Sequence, residues 1–249
     1  MLAAERRHEI IAQLDRDGRV VVAELVVGLS VSEDTIRRDL EELAGRGLLH
    51  RVHGGALASP TGTLSFERRL EIDREEKVAL AKAAAPLVES ARTLVVDGGT
   101  TALEVARHLP PNWDGVVVTN APPVAVALAA HPRAEVVLVG GRLLKAEQVA
   151  VGPAAIDAFR TLRADACVLG VCAFHPEVGV TTANDAEAQV KRAMIACSDQ
   201  VVALATKDKL HASSPWVVAS LDQIDHLVTD GGKDRTSPFA AAGVNVVTV

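Results

Sequence analysis

The sequence predicts an α/β chain in two parts: a winged helix-turn-helix at the N-terminus, followed by a doubly wound α/β domain. Three observations predict it. A serine-capped helical pattern carrying an arginine pair, Val31-Ser-Glu-Asp-Thr-Ile-Arg-Arg-Asp-Leu40, sits between a short helical pattern and a basic hairpin pattern. Further on, valine-rich apolar runs alternate with helical patterns. Three of those runs end in paired glycines.

The first helix is expected at about 5–15, with Ile10, Ile11 and Leu14 on one face. Ala23–Leu29 reads as the first helix of the helix-turn-helix, with Leu25 and Leu29 inward and Gly28 and Ser30 supplying the turn. In the next helix Ser32 can accept from a free backbone N–H of the first turn. Glu33 and Asp34 suit the positive end of the helix dipole. Ile36, Leu40 and Leu43 recur at i, i+4 and i+7 as the buried stripe, which leaves Thr35, Arg37, Arg38, Glu41 and Glu42 outward. Gly45 and Gly47 are expected to stop this helix. Leu48–Gly55 reads as a wing, in which Arg51 and His53 alternate with Val52 and so share a face. This arrangement lays one helix in the major groove of DNA. Arg37 and Arg38 suit phosphate or guanine contact; the same positions also fit a solvated helix face with Arg38 paired to Glu41 or Glu42.

Residues 58–74 are expected to be a linker. Ala58–Thr63 is small, polar and turn-rich, and Phe66–Lys77 is dense in charge and helical in pattern, running towards Val78–Ala85. Parallel strands are expected at Thr93–Val96, Val116–Thr119, Glu135–Val139, Ala166–Gly170, Val201–Ala205, His226–Thr229 and Val244–Val249. Helices are expected at Ala102–His108, Pro123–Ala130, Ala154–Thr161 and Ala186–Ser198, with a short one at Leu221–Gln223. The carboxyl ends of parallel strands share one edge, where ligands bind. Asp97-Gly98-Gly99-Thr100-Thr101, Asn120, and Gly140-Gly141-Arg142 fall there. Gly98 and Gly99 allow close backbone approach, and the N–H groups opening the next helix suit a phosphate. Thr101-x-x-Glu104 also fits a capping box. Asp97 would repel phosphate, so a sugar hydroxyl is its natural partner. Glu187 and Lys191 fit an i, i+4 pair behind an Asn184 cap as well as a ligand contact.

The chain has 249 residues and a net charge of −6, which is not the footprint of a generally basic nucleic-acid binder. Residues 1–57 are not net basic either, since Arg6, Arg7, Arg16, Arg19, Arg37, Arg38, Arg46 and Arg51 face ten acids. DNA binding must therefore rest on where the arginines point. Cys167, Cys172 and Cys197 lie in apolar runs without paired spacing and read as buried thiols. The eight histidines make no metal pattern, and no P-loop, GxGxxG or serine-hydrolase elbow is present. No cofactor and no metal are expected. Neither a signal peptide nor an apolar run of membrane-spanning length is visible, so the expected location is the cytoplasm.

Glu24-Leu25, Val31-Ser32, Thr35–Leu40, Leu43, Gly47, Leu49, Arg51 and His53–Ala56 resemble the DNA-binding domain of the DeoR family of bacterial transcription regulators. Asp97–Thr101, Thr119-Asn120, Leu138–Gly141, Gly152, Asp165, Gly179–Thr181, Glu187, Lys191-Arg192, Met194, Lys209 and Asp230 resemble that family's C-terminal sensor domain, whose fold is similar to ribose-5-phosphate isomerase and CoA transferases. The resemblance implies a DNA-binding domain over 1–57 and an effector-binding domain over 75–249. It implies DNA contact by Ser32, Thr35, Arg37, Arg38, Arg51 and His53. It also implies effector contact by Asp97, Gly98, Gly99, Thr100, Thr101, Asn120, Gly140, Gly141, Arg142, Glu187, Lys191 and Lys209. The chain departs from the family's usual Asp-Ser-Ser-Lys-Phe in carrying Thr206-Lys-Asp-Lys-Leu210, which puts a threonine in the place of the acid.

The function so implied is a non-enzymatic repressor of a carbohydrate operon. It would bind a double-stranded operator as a dimer or tetramer and be modulated by a small sugar phosphate. The rival is a sugar-phosphate isomerase with an appended DNA-binding domain, in which Asp97, Glu187 and Lys191 transfer protons.

Overall fold

The computed structural model describes residues 3–17, 19–45, 49–52, 54–58 and 66–249. The expected helix stop at Gly47, the wing residue His53 and most of the turn-rich stretch after Ala58 lie outside the described residues. The chain divides into two compact units, Met1–Ser65 and Phe66–Val249.

The first unit has α1 (Ala3–Asp17), α2 (Val22–Leu29) and α3 (Glu33–Gly45) and a three-stranded antiparallel sheet whose first strand lies between α1 and α2. Its strands are β1 (Arg19–Val21), β2 (Leu49–Val52) and β3 (Gly55–Ala58), in the order β1-β3-β2. The predicted apolar stripes meet in one core: Ile10 and Leu14 from α1, Leu25 from α2, and Ile36, Leu40 and Leu43 from α3, closed by Val20, Leu49 and Ala56. Strand β1 is an addition that the sequence pattern did not show, because Arg19-Val-Val21 is three residues long and its partner is distant β3. The turn before α3 also differs from expectation. Gly28 lies inside α2, and Ser30 alone takes the left-handed conformation (φ 54°) that ends it.

A buried charge cluster ties α1 to α3. Asp39 is buried, accepts from Arg6 Nε at 2.5 Å and lies 3.5 Å from Arg7 Nε, while Arg7 also pairs with Glu42. Breaking a buried pair from one side strands the other charge. Asp39→Ala is therefore expected to cost about 3 kcal/mol, read as a lower denaturant midpoint for the full chain. An unchanged midpoint would show that this cluster does not hold α1 against α3.

The second unit opens with α4 (Phe66–Glu71) and α5 (Arg74–Val88). Its seven-stranded sheet has the order β15-β14-β12-β9-β4-β5-β6. These strands are β4 (Thr93–Val96), β5 (Val116–Thr119), β6 (Glu135–Leu138), β9 (Ala166–Gly170), β12 (Val201–Leu204), β14 (His226–Thr229) and β15 (Asn245–Thr248). Every neighbouring pair is parallel, and the seven coincide with the valine-rich runs. The central strands β9 and β12 are buried save Gly170 at the end of β9, as a parallel sheet covered on both faces requires. The cover is α5, α6 (Thr100–Arg107) and α7 (Pro122–Leu128) in one row, and α8 (Pro153–Arg160) with α9 (Asp185–Ala196) in another. Two small antiparallel assemblies complete the unit. One is the hairpin β7 (Arg142–Leu144) with β8 (Val149–Val151); the other joins β10 (Ala173–His175), β11 (Gly179–Thr182) and β13 (Trp216–Ala219). A last helix, α10 (Lys233–Ala241), contains Pro238.

The order of strands fixes where a ligand can sit. From β4 the chain steps outward to β5 and β6, then returns to the other side of β4 with β9, β12, β14 and β15. The reversal falls between β4 and β9, and the crevice beyond their carboxyl ends is where open α/β sheets bind ligands.

Candidate functional site

The first candidate surface is the outer face of α3 with the wing. Ser32 caps the helix: its Oγ accepts from Thr35 N–H at 3.3 Å and lies 2.8 Å from Thr35 Oγ1. Ser32, Arg37 and Arg38 are exposed and Thr35 is half-buried. Arg37 reaches back one turn to Glu33 at 2.5 Å. Arg51, exposed on β2, lies 3.6 Å from Glu41. With Glu41 turned to Arg51 and Glu42 to Arg7, Arg38 has no ion pair among the described residues. A recess of about 500 Å³ runs between α3 and the wing, with Glu33, Arg37 and Arg51 on its walls.

The second candidate lies at the β4/β9 switch point. Asp97 follows β4, is 2% exposed, and accepts from Gly170 N–H at 3.0 Å and from the Lys191 ammonium. Lys191, 4% exposed, also donates to the Gly170 carbonyl at 2.8 Å and lies 3.4 Å from Glu187. Glu187 in turn accepts from Thr182 Oγ1 at 2.7 Å, and its own N–H is capped by Asn184 Oδ1 at 3.2 Å. Burial works against the charge on Lys191, but the Asp97 and Glu187 carboxylates outweigh it and hold the ammonium above its ordinary pKa. Only glycine fits at position 170, since a Cβ there would stand 2.4 Å from the Gly98 carbonyl.

Against this buried cluster lies a cavity of about 50 Å³. Gly98, Gly99, Thr100 and Thr101 form one wall, Glu187 and Lys191 another, and Lys209 reaches it from the 3-10 turn Lys207–Lys209 after β12. Burial lowers the Lys209 ammonium below its usual pKa, and it has no ion pair among the described residues. Gly99 is the N-cap of helix α6, at φ 104° and without a side-chain cap. The expected Thr101 capping box does not form: Gly99 is the N-cap, so Thr101 lies inside the helix, and Glu104 pairs with Arg107 at 2.6 Å.

The structure brings Gly98–Thr101, Glu187, Lys191 and Lys209 together. Asp97 stands behind them as the counter-charge to Lys191 rather than as a free acceptor for a hydroxyl. Asn120 is buried and spends its Nδ2 on the Ala150 carbonyl at 2.8 Å. Gly140, Gly141 and Arg142 are not on the cavity wall; they open the β7–β8 hairpin, where a Cβ on Gly141 would meet the Val151 carbonyl at 2.7 Å. Cys167 and Cys197 are buried, while Cys172 is half-buried on the cavity wall. Thr206, in the place of the family's usual acid, is buried. Sequence reasoning missed Arg69 and Glu147, which also line the cavity. The only signal for Arg69 was the charged helical pattern of its segment.

Behind α4, Lys77 is buried and its ammonium donates to the carbonyls of Arg69 and Ile72, each at 2.5 Å. Burial, reinforced by Lys209, pulls its pKa down from 10.5 to about 8. Between those two values the unfolded chain binds a proton that the folded chain does not, so this group makes stability rise with pH across that window. In Lys77→Met the rise is expected to vanish, as read from denaturation midpoints taken across the window. An identical pH profile would remove Lys77 as its source.

A winged helix with an outward arginine pair, joined to an α/β unit with a cavity at its switch point, defines a ligand-responsive DNA-binding transcription regulator. The family profiles agree: the DeoR-like helix-turn-helix domain matches residues 6–61 and the DeoR C terminal sensor domain residues 72–231. The chain belongs to the DeoR family. It is 38% identical over 252 residues to the HTH-type transcriptional regulator GlpR of Haloferax volcanii, covering 99% of this chain and 98% of that protein. It is 34% identical over 233 residues to the HTH-type transcriptional repressor GlcR of Bacillus subtilis, covering 92% and 89%. Among solved structures, ribose 5-phosphate isomerase A of Methanocaldococcus jannaschii matches with a TM-score of 0.39 and 14% identity, over 55% of this chain and 54% of that one. No helix among the described residues is long and apolar enough to cross a membrane.

The Lys191 cluster makes a separate prediction. Lys191→Met leaves Asp97 buried without its counter-charge and is expected to cost about 3–5 kcal/mol. The double variant Lys191→Met/Asp97→Asn should cost clearly less than the sum of the two singles in denaturant titrations. Strict additivity would show that the two groups are not coupled.

Proposed function

We propose that this chain represses an operon of carbohydrate use, that Arg38 leads its contact with the operator, and that a phosphorylated sugar in the β4/β9 cavity modulates that contact. The observation that carries the reading is Lys209: an ammonium on the cavity wall, without an ion pair among the described residues, facing the Gly98–Thr101 loop. A phosphate placed there meets the backbone N–H groups that open α6 and a cation whose charge burial disfavours until an anion arrives. Arg37 and Arg51 join Arg38 on the DNA face once phosphates compete with Glu33 and Glu41. Ser32 and Thr35 add hydroxyl contacts at the start of α3. One winged helix covers a short site, so the protein acts as a homo-oligomer, a dimer or tetramer, on a repeated or palindromic operator. It works in the cytoplasm, where that DNA is.

The protein is not an enzyme in this reading. Of the groups that an isomerase would use, Asp97 is committed to Lys191 and Gly170, and Glu187 to Thr182 and Lys191. Lys191, held protonated by those two carboxylates, has no lone pair with which to take a proton from a substrate.

Gel shifts on the DNA upstream of its own gene test this, run with phosphate esters of glucose, fructose and ribose and with the free sugars. Release by an ester and not by its sugar is expected. Arg38→Ala should weaken binding across sequences and lower the salt slope by about 1. Lys209→Met should keep DNA binding and lose the response. No shift of that DNA, or turnover of pentose phosphates, would overturn the reading.

A further inference from the structure

The cavity receives charge from two elements outside the main sheet. Arg69 comes from α4, the first element of the second unit, and Glu147 from the β7–β8 hairpin. These elements are joined to each other: Phe66 N–H, which opens α4, donates to the Ala146 carbonyl at 2.9 Å. The other end of α4 is held by Lys77 through the Arg69 and Ile72 carbonyls. Arg69 is thus positioned from both sides, yet its own guanidinium is not satisfied. Its Nε is buried and has no hydrogen-bond partner among the described residues, and the group has no ion pair among them. A buried N–H left without an acceptor is costly, and such atoms in a folded protein ask for an explanation. Here one is available within the same space. Arg69 and Lys209 are two cations facing one small cavity, which is unfavourable until an anion stands between them. The acid at hand is Glu147, and burial pushes its carboxyl above the usual range. On the scale of one water per 10–15 Å³ or so, a volume of about 50 Å³ holds a few waters. That suits a phosphoryl group better than a whole sugar ester.

We propose that Arg69 is a phosphate-binding residue of the sensor cavity. It forms a two-cation clamp with Lys209, and Glu147 is the carboxylate that the phosphoryl group displaces. This rests on the cavity being the effector site. A guanidinium offers paired donors that match phosphate oxygens, which a single ammonium cannot do alone. The sugar then lies towards the hairpin tip, where Glu147 gives way. Because Arg69 rides on α4, the ligand's charge acts directly on the helix by which the chain enters the second unit. Occupancy is thereby felt at the interdomain crossing without a longer relay.

Inorganic phosphate is the probe, titrated into the full-length protein at constant ionic strength with chloride as the control. Affinity is read by calorimetry and by thermal shift. Saturable binding is expected for the wild type. Arg69→Met should weaken it about tenfold or more, Arg69→Lys should restore part of that loss, and Glu147→Gln should tighten binding several-fold. If Lys209→Met loses phosphate while Arg69→Met binds it as the wild type does, the Arg69 role is refuted and the cavity reading stands. If the wild type binds neither phosphate nor any sugar phosphate, or if binding ignores both Lys209 and Arg69, the cavity reading falls and takes this one with it. Should Arg69→Met not fold, Glu147→Gln decides: unchanged phosphate affinity overturns the clamp.

Discussion

The second unit is organised around one electrostatic constraint: a buried ammonium and two carboxylates, one of them buried, share a space at the sheet's centre. Lys191 is tolerable there only because Asp97 and Glu187 face it and because the Gly170 carbonyl accepts one of its protons. Asp97 is fixed at the end of β4, Gly170 at the end of β9, and Lys191 on α9, so the cluster sets the spacing of the elements that bound the cavity. It also explains why Gly98 and Gly170 approach so closely, with no room for a side chain between them. The Gly98–Thr101 loop is thus positioned by charges of which one, Asp97, stands behind the cavity and two, Glu187 and Lys191, form part of its wall.

The first unit spends its charges in a comparable way. Arg6 and Arg7 are internal struts to Asp39 and Glu42, whereas Arg38 is left to the outside. This resolves the apparent poverty of positive charge in a DNA-binding segment that is not net basic. Asp39 and Glu42 are matched by arginines of α1 rather than by those on the outer face of α3, so the sum of charges says little about the face that α3 presents.

The seven strands of the main sheet were legible because each is a short valine-rich run bounded by turn residues, and burial on both faces demands that pattern. The helix stripes of the first unit were legible for the same kind of reason. What escaped was short or locally ambiguous. Strands β7, β8, β10, β11 and β13 have three or four residues each and pair in small antiparallel assemblies, outside the strand–helix alternation that marks the main sheet. Helix α10 carries Pro238 and a run of poor helix formers. The candidate site was legible where it lies on strand ends, as at Gly98–Thr101. Gly140–Arg142 also follow a strand end but lie off the cavity wall, where Gly141 packs closely against the Val151 carbonyl. Arg69 and Glu147 were invisible because nothing local marks a charge that only tertiary structure carries to a cavity.

The strand order has a consequence for how the chain is made. The first unit draws only on residues up to 65 and can assemble as soon as they leave the ribosome. The sheet cannot. Its central neighbours β4 and β9 bring together Asp97 and Gly170, 73 residues apart, so β4, β5 and β6 emerge with one flank of β4 unpaired. Long-range parallel pairing of this sort is slow, and the waiting edge is rich in valine and open to intermolecular pairing. Nascent chains therefore pass through a stage in which the reader of DNA is already shaped and the half that governs it is still a hazard for aggregation.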